Sequence, residues 1–111
     1  MLQDRLGLAV ALANDAHVSA QGERVYGSAH GMKDFVVANL GVGFGSCFFS
    51  EGHEHHGCDG YAGEIGHTTI VDNGRLCGCG HHGCLEAYTS GPGIVLTAQE
   101  LMAESLSLIH I

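Results

Sequence analysis

Three cysteines and one histidine in the second half of the chain carry the spacing of a metal site. His67, Cys77, Cys79 and Cys84 form the pattern H-x9-C-x-C-x4-C. Three thiolates and an imidazole are a usual ligand set for a closed, tetrahedral, structural zinc ion. Glycines at 78, 80 and 83 suit that task, because a short loop that aims several sulfurs at one point must turn sharply. Disulfides fit less well. The chain has five cysteines, an odd number, and Cys77 and Cys79 are one residue apart. No charged start followed by an apolar stretch marks an export signal. The clustered thiols and the nine histidines therefore point to zinc in a reducing, cytoplasmic setting. Cys47 and Cys58 stand outside the cluster. His81 and His82 are read as facing solvent. His53, His55 and His56 are read as loop surface and not as a second metal site.

The elements that must position these groups follow from pattern. The 111 residues, 45% of them hydrophobic, have room for one small domain or part of a larger one. The apolar segment 7–13 (GLAVALA) reads as a buried strand. Asp15 can cap a helix running to Tyr26. Residues 27–33 form a turn, 35–40 (FVVANL) a strand, 41–45 (GVGFG) a glycine turn and 46–50 (SCFFS) the returning strand of a hairpin. A loop rich in His and Gly covers 51–61. The β-branched stretch 68–71 reads as a short strand ended by Asp72-Asn73-Gly74. Segment 76–83 holds too much Cys and Gly for regular structure. A short helix is expected over 85–89, and Pro92 is placed to begin another through Glu104. The whole is an α/β pattern.

Charge and hydropathy exclude other classes. Lys+Arg is 4 against Asp+Glu 12, a net charge of −8, with no basic stripe for a phosphate backbone, so this segment is not expected to bind nucleic acid. The longest apolar run, 6–13, is too short to span a bilayer, and no membrane partner is expected.

The motifs resemble those of the ROK family of bacterial sugar kinases and sugar-responsive repressors. Ala62-Gly63-Glu64-Ile65-Gly66-His67 followed by Cys77-Gly78-Cys79-Gly80, Gly83-Cys84 and Leu85-Glu86 is similar to the family signature. Asn14-Asp15-Ala16 and the run from Leu40 to Gly45 match in order and spacing. The resemblance covers residues 7–104. It implies part of an actin-like (ribonuclease-H-like) ATPase fold, two α/β domains around a cleft, with the Cys3His zinc loop inserted. The kinases it resembles most phosphorylate glucose and related hexoses or N-acetylhexosamines with ATP and Mg2+, and members are commonly oligomers. The family has threonine where this chain has Val42, and a glycine where it has Cys47. The family's first phosphate loop, of D-x-G-G-T type, and its closing C-terminal half-domain are not in these residues. An internal segment of a longer protein is therefore expected, inactive by itself. Residues 105–111 (SLSLIHI) do not continue the family pattern and are expected to be a non-native or disordered tail.

The resemblance also implies roles. Asp15 would take the proton from the sugar 6-hydroxyl as it attacks the γ-phosphate. Asn14, Glu64, His67 and Glu86 would hold the hexose. His67 would also ligate zinc, and Gly41, Gly43 and Gly45 would approach the ATP phosphates. Each role makes physical sense. Phosphoryl transfer needs positioning, charge stabilisation and one carboxylate to accept a proton. Glycine lets backbone N–H groups reach phosphate oxygens. Carboxylates and an imidazole suit hydroxyls that both donate and accept, and an imidazole has two nitrogens to share between a metal and a ligand. Plainer readings stand beside these: a helix cap for Asp15, a hairpin turn for the glycines, a favourable helix start for Glu86. Three functions are weighed: a hexose kinase, a sugar-sensing repressor and an inactive zinc-binding fragment.

Overall fold

The computed structural model describes residues 2–109. Helix α1 (Leu2–Leu6) precedes helix α2 (Asp15–Tyr26). Strands β1 (Phe35–Leu40), β2 (Phe44–Ser50) and β3 (His53–Glu54) form one antiparallel sheet in chain order. Helices α3 (Glu86–Thr89) and α4 (Gly91–Ile109) follow. The α/β expectation holds. Among the described residues, no helix is long and apolar enough to cross a membrane.

Helix α2 starts where expected, with one correction. The cap is Asn14, not Asp15: its extended backbone (φ −66°, ψ 142°) lets its side chain accept the Ala16 amide at 2.8 Å. Asp15 is the first helical residue and accepts the same amide at 2.8 Å. The buried side of α2, Ala16 and Ala20, lies on the sheet. Gly45 of β2 makes that approach close, since a Cβ there would stand 3.1 Å from the Ala16 methyl. The core is small: Ala20, Cys47 and Phe49, joined by Phe35 and Val37. Phe35 and Phe49 pair across β1 and β2 with parallel rings 4.5 Å apart.

The hairpin register runs from Phe35 opposite Phe49 to Leu40 opposite Phe44, so the returning strand begins two residues earlier than expected, and the turn shrinks to 41–43. Strand β3 was missed. It follows a two-residue turn in which Glu51 (φ 53°) and Gly52 (φ 81°) are both left-handed, the backbone of a type I′ hairpin.

Two expected strands are absent. Segment 7–13 is not paired with any strand, and Leu12 is fully exposed at 99%. A small apolar run becomes a buried strand only when neighbours bind both its edges, and among the described residues the sheet β1-β2-β3 offers it none. Segment 68–71 is reduced to a single bridge from Thr69 to Cys84 beside one turn of 3-10 helix, Ile65–His67. Its backbone hydrogen bonds go to the cysteine loop 76–84 instead: Ile70 and Val71 donate to the Gly83 carbonyl at 2.8 and 3.2 Å.

Helix α4 begins at Gly91 and runs past Glu104 to Ile109. Most of the segment expected to be a tail therefore continues the helix, and positions 110 and 111 lie outside the described residues. Arg75 fastens the cysteine loop to α3 and α4. Its guanidinium donates to the carbonyls of Ala87 and Gly93, both at 3.1 Å, pairs with Glu100, and lies over the Tyr88 ring at 4.6 Å.

Candidate functional site

The loop 76–84 brings its sulfurs to one place. One ligand atom from each of His67, Cys77, Cys79 and Cys84 lies within 4.8 Å of the others. Cys77 Sγ is 3.6 Å from His67 Nδ1, and Cys79 Sγ is 3.7 Å from Cys84 Sγ. An ion about 2.3 Å from each sulfur at tetrahedral angles would separate the sulfurs by about 3.7 Å, so the spacing suits such an ion. Burial pushes the Cys84 thiol up to about 12, reinforced by hydrogen bonds and charge from Cys79 and Cys77. The Cys79 thiol is held below its ordinary value, where the His81 backbone and the thiols of Cys77 and Cys84 outweigh desolvation. Sulfurs this close cannot all carry charge unless a cation lies among them. His81 and His82 are exposed as expected. His82 Nδ1 is 2.9 Å from the Gly74 carbonyl, and His81 Nδ1 is 3.8 Å from Cys79 Sγ.

His67 faces two ways. Its Nδ1 turns to Cys77, and its Nε2 lies 3.9 Å from Glu64 Oε2. The segment holding both lies directly on β2. A Cβ at Gly66 would stand 2.7 Å from the Phe44 carbonyl oxygen, so no larger residue fits without moving the strand. Ser46 of β2 donates its hydroxyl to the Gly63 carbonyl, which fixes the other end of the segment.

Beyond Glu64 a cleft of about 470 Å³ opens between the N-terminus of α2 and the β3 loop. Asn14 and Glu64 share its wall with His17, Glu54 and His56. Asp15 is exposed beside Asn14 on the first turn of α2. Of the expected residues, Asn14 and Glu64 line the opening, while Asp15 follows Asn14 in the chain and His67 reaches it only through Glu64. Glu86 stands apart. Its Oε2 accepts the Phe44 amide at 2.7 Å, and its Oε1 is 3.7 Å from Cys77 Sγ, so it ties the glycine turn to the cysteine loop. The three turn glycines differ. Gly41 is exposed, and its carbonyl accepts the Gly91 amide at 2.7 Å. Gly43 leaves room for the Glu86 carboxylate, and Gly45 leaves room for Ala16. Of the three, only Gly41 has no atom within 4 Å of its Cβ position, and its amide donates to the Gly43 carbonyl at 3.0 Å.

The ROK family model matches residues 1–111. The chain belongs to the ROK family. A glucokinase of Halalkalibacterium halodurans is 39% identical over 104 residues, 93% of this chain and 32% of that protein. A xylose repressor of Bacillus spizizenii is 34% identical over 98 residues, 88% of this chain and 26% of that protein. Among solved structures, a ROK glucokinase from Streptomyces griseus in complex with glucose and AMPPNP superposes with a TM-score of 0.82 at 38% identity, covering 89% of this chain and 32% of that one. The chain thus spans about a third of the length of the ROK proteins it matches, and its α/β fold is that of the corresponding part of a ROK sugar kinase.

Proposed function

We propose that this chain is the sugar- and metal-binding part of an ATP-dependent hexose kinase that phosphorylates a glucose-type sugar at the 6-hydroxyl. The observation that carries the reading is the cleft that Asn14 and Glu64 both line, with Asp15 next to Asn14 in the chain and His67 behind Glu64 turning its other nitrogen to the thiol loop. A cleft with a side-chain amide and two carboxylates offers the mixture of donors and acceptors that sugar hydroxyls require. Asn14, Glu64 and His67 hold hydroxyls, while Glu86, its two oxygens facing the Phe44 amide and Cys77 Sγ, ties the hairpin to the thiol loop. Asp15, at the exposed first turn of α2, accepts the 6-hydroxyl proton. The tip of the hairpin at Gly41 meets the nucleotide. ATP with Mg2+ supplies the phosphoryl group and neutralises its charge.

His67, Cys77, Cys79 and Cys84 hold one structural zinc ion, which fixes the loop and the His67 ring. Under this reading the sugar is a substrate and not a sensor ligand alone, since a repressor needs the hydroxyl contacts but has no use for Asp15 as a base. Glucose and N-acetylhexosamines are the substrates to test first, as a glucokinase and an N-acetylmannosamine kinase stand among the relatives.

The experiment is a coupled ADP-release assay on a full-length protein carrying this segment, with glucose, N-acetylglucosamine and N-acetylmannosamine. Turnover that requires both ATP and one of these sugars supports the kinase. Tight sugar binding with no ATP-dependent turnover supports the repressor reading instead.

A further inference from the structure

A second group of ligand-type side chains converges in the wall of the same cleft, outside the thiol loop. His17 on α2, Cys47 on β2 and Glu54 on β3 bring a ring nitrogen, a sulfur and a carboxylate oxygen within 4.8 Å of one another. His17 Nδ1 contacts Glu54 Oε1, and Cys47 Sγ lies 3.7 Å from that same oxygen. His56 Nε2 lies 3.7 Å from it as well, and the His17 and His56 rings stack at 5.2 Å with 16° between their planes. Gln21 donates to the other carboxylate oxygen at 2.8 Å. Three side chains from two elements and a loop are therefore aimed at one carboxylate oxygen, and a fourth, Gln21, at the other.

The surroundings make this more than a surface pair. Cys47 is fully buried, and the His17 and Glu54 side chains are only 15% and 13% exposed. A thiol set 3.7 Å from a carboxylate oxygen in the interior is an awkward neighbour for it, since each disfavours negative charge on the other. Aliphatic residues would fill this part of the core without that conflict. A divalent cation among the three groups removes it, because thiolate, carboxylate and imidazole then all face positive charge.

We propose that His17, Cys47 and Glu54 form a second metal site, for a zinc-type divalent transition ion, with His56 as the fourth donor at the cleft rim. The donor set decides the class of ion. One sulfur, one oxygen and imidazole nitrogen favour Zn2+ over Mg2+ or Ca2+, which prefer oxygen alone. The site differs in kind from the thiol loop. It has one sulfur instead of three, and His56 is 57% exposed, so its ion exchanges with solvent more readily. It also shares the cleft with Asn14 and Glu64.

The proposal stands apart from the assignment of the thiol loop and is tested separately from it. Reduced protein is saturated with Zn2+, desalted, and its metal measured by mass spectrometry. Wild type should hold two equivalents. Glu54→Gln and His17→Gln should each lose one, keeping the equivalent that Cys79→Ser removes. Cys79→Ser should keep the equivalent that Glu54→Gln removes. Circular dichroism checks that each variant is folded. Because Cys47 is in the core, Glu54→Gln, which keeps size and shape, is the deciding variant. Cobalt titration gives a second readout: wild type should show two classes of thiolate-to-cobalt absorption and Glu54→Gln only one. A single equivalent in wild type that Cys79→Ser removes, or two equivalents left unchanged by both Glu54→Gln and His17→Gln, overturns the proposal and leaves the cluster as a hydrogen-bonded core contact.

Discussion

Gly83→Ala would put a methyl group where the Val71 carbonyl oxygen already is. Gly83 has a left-handed backbone (φ 76°), and a Cβ there would stand 1.7 Å from that oxygen and 2.8 Å from its carbon. Neither neighbour is the end of a flexible side chain. The two segments are held together by Ile70 and Val71 donating to the Gly83 carbonyl and by Gly83 donating to Arg75, at 2.8 to 3.2 Å. The left-handed conformation costs a residue with a Cβ about 1–2 kcal/mol. Forcing the segments apart adds about 1–3 kcal/mol of overpacking and about 1 kcal/mol for each hydrogen bond given up. The loss should be about 3 kcal/mol or more, and two neighbouring glycines separate its parts. Gly80 is left-handed (φ 91°) with no atom within 4 Å of its Cβ position, so Gly80→Ala carries the backbone cost alone. Gly78 is not left-handed and is equally open, so Gly78→Ala should stay within about 0.5 kcal/mol of wild type. Thermal unfolding of the reduced, metal-loaded protein reads the series, at about 4–8 °C per kcal/mol for a domain of this size. Gly83→Ala should lower Tm by more than about 10 °C, and by clearly more than Gly80→Ala. Equal shifts for the two would refute the close contact with Val71.

Three further outcomes follow from the same geometry. In a full-length protein, Asp15→Asn should cut turnover by about two to four orders of magnitude while sugar affinity stays near wild type, the usual measure of a lost general base; near-normal turnover would place the base elsewhere. Glu86→Gln weakens the hydrogen bond to the Phe44 amide from a charge-assisted to a neutral one, so hydrogen exchange at Phe44 should quicken roughly fivefold, for about 1 kcal/mol. Burial raises the Glu54 carboxyl, but hydrogen bonds from Gln21 and His17 and the charges of His56 and His17 outweigh this and hold it below its usual 4.5. A depressed carboxyl stabilises the fold above its unfolded pKa and loses that contribution as pH falls through its folded one. Denaturation midpoints measured downward from pH 5 should therefore fall less steeply in Glu54→Gln than in wild type.

What the sequence disclosed was local. The spacing of His67, Cys77, Cys79 and Cys84 in a glycine-rich stretch announces a shared ligand point, and the structure brings those four atoms together. The start of α2 and the span of β1 were legible because a cap and an alternating strand are properties of a few adjacent residues. Segment 7–13 was misread because burial of a strand depends on partners that a local pattern does not supply. Strand β3 was missed because two residues, His53 and Glu54, carry no strand signature; Glu51-Gly52 before them was the usable turn signal. The group of His17, Cys47 and Glu54 was invisible for another reason. Its members are thirty and seven residues apart on three elements, and only the packing of α2 on the hairpin brings them together. Reading His56 by its loop neighbours His53 and His55 hid its contact with Glu54.

The central claim proposed above is that His67 couples a zinc ion in the cysteine loop to sugar in the cleft, and calorimetric titration with glucose tests it most directly. In a full-length protein, Cys84→Ser removes a ligand that does not line the cleft. It should lose the ion and weaken sugar binding about ten- to a hundredfold, the usual effect of releasing an oriented imidazole. Glu64→Gln should weaken sugar binding with zinc content unchanged. A folded, zinc-free Cys84→Ser that binds sugar as tightly as wild type would contradict the claim and confine the metal to holding the loop.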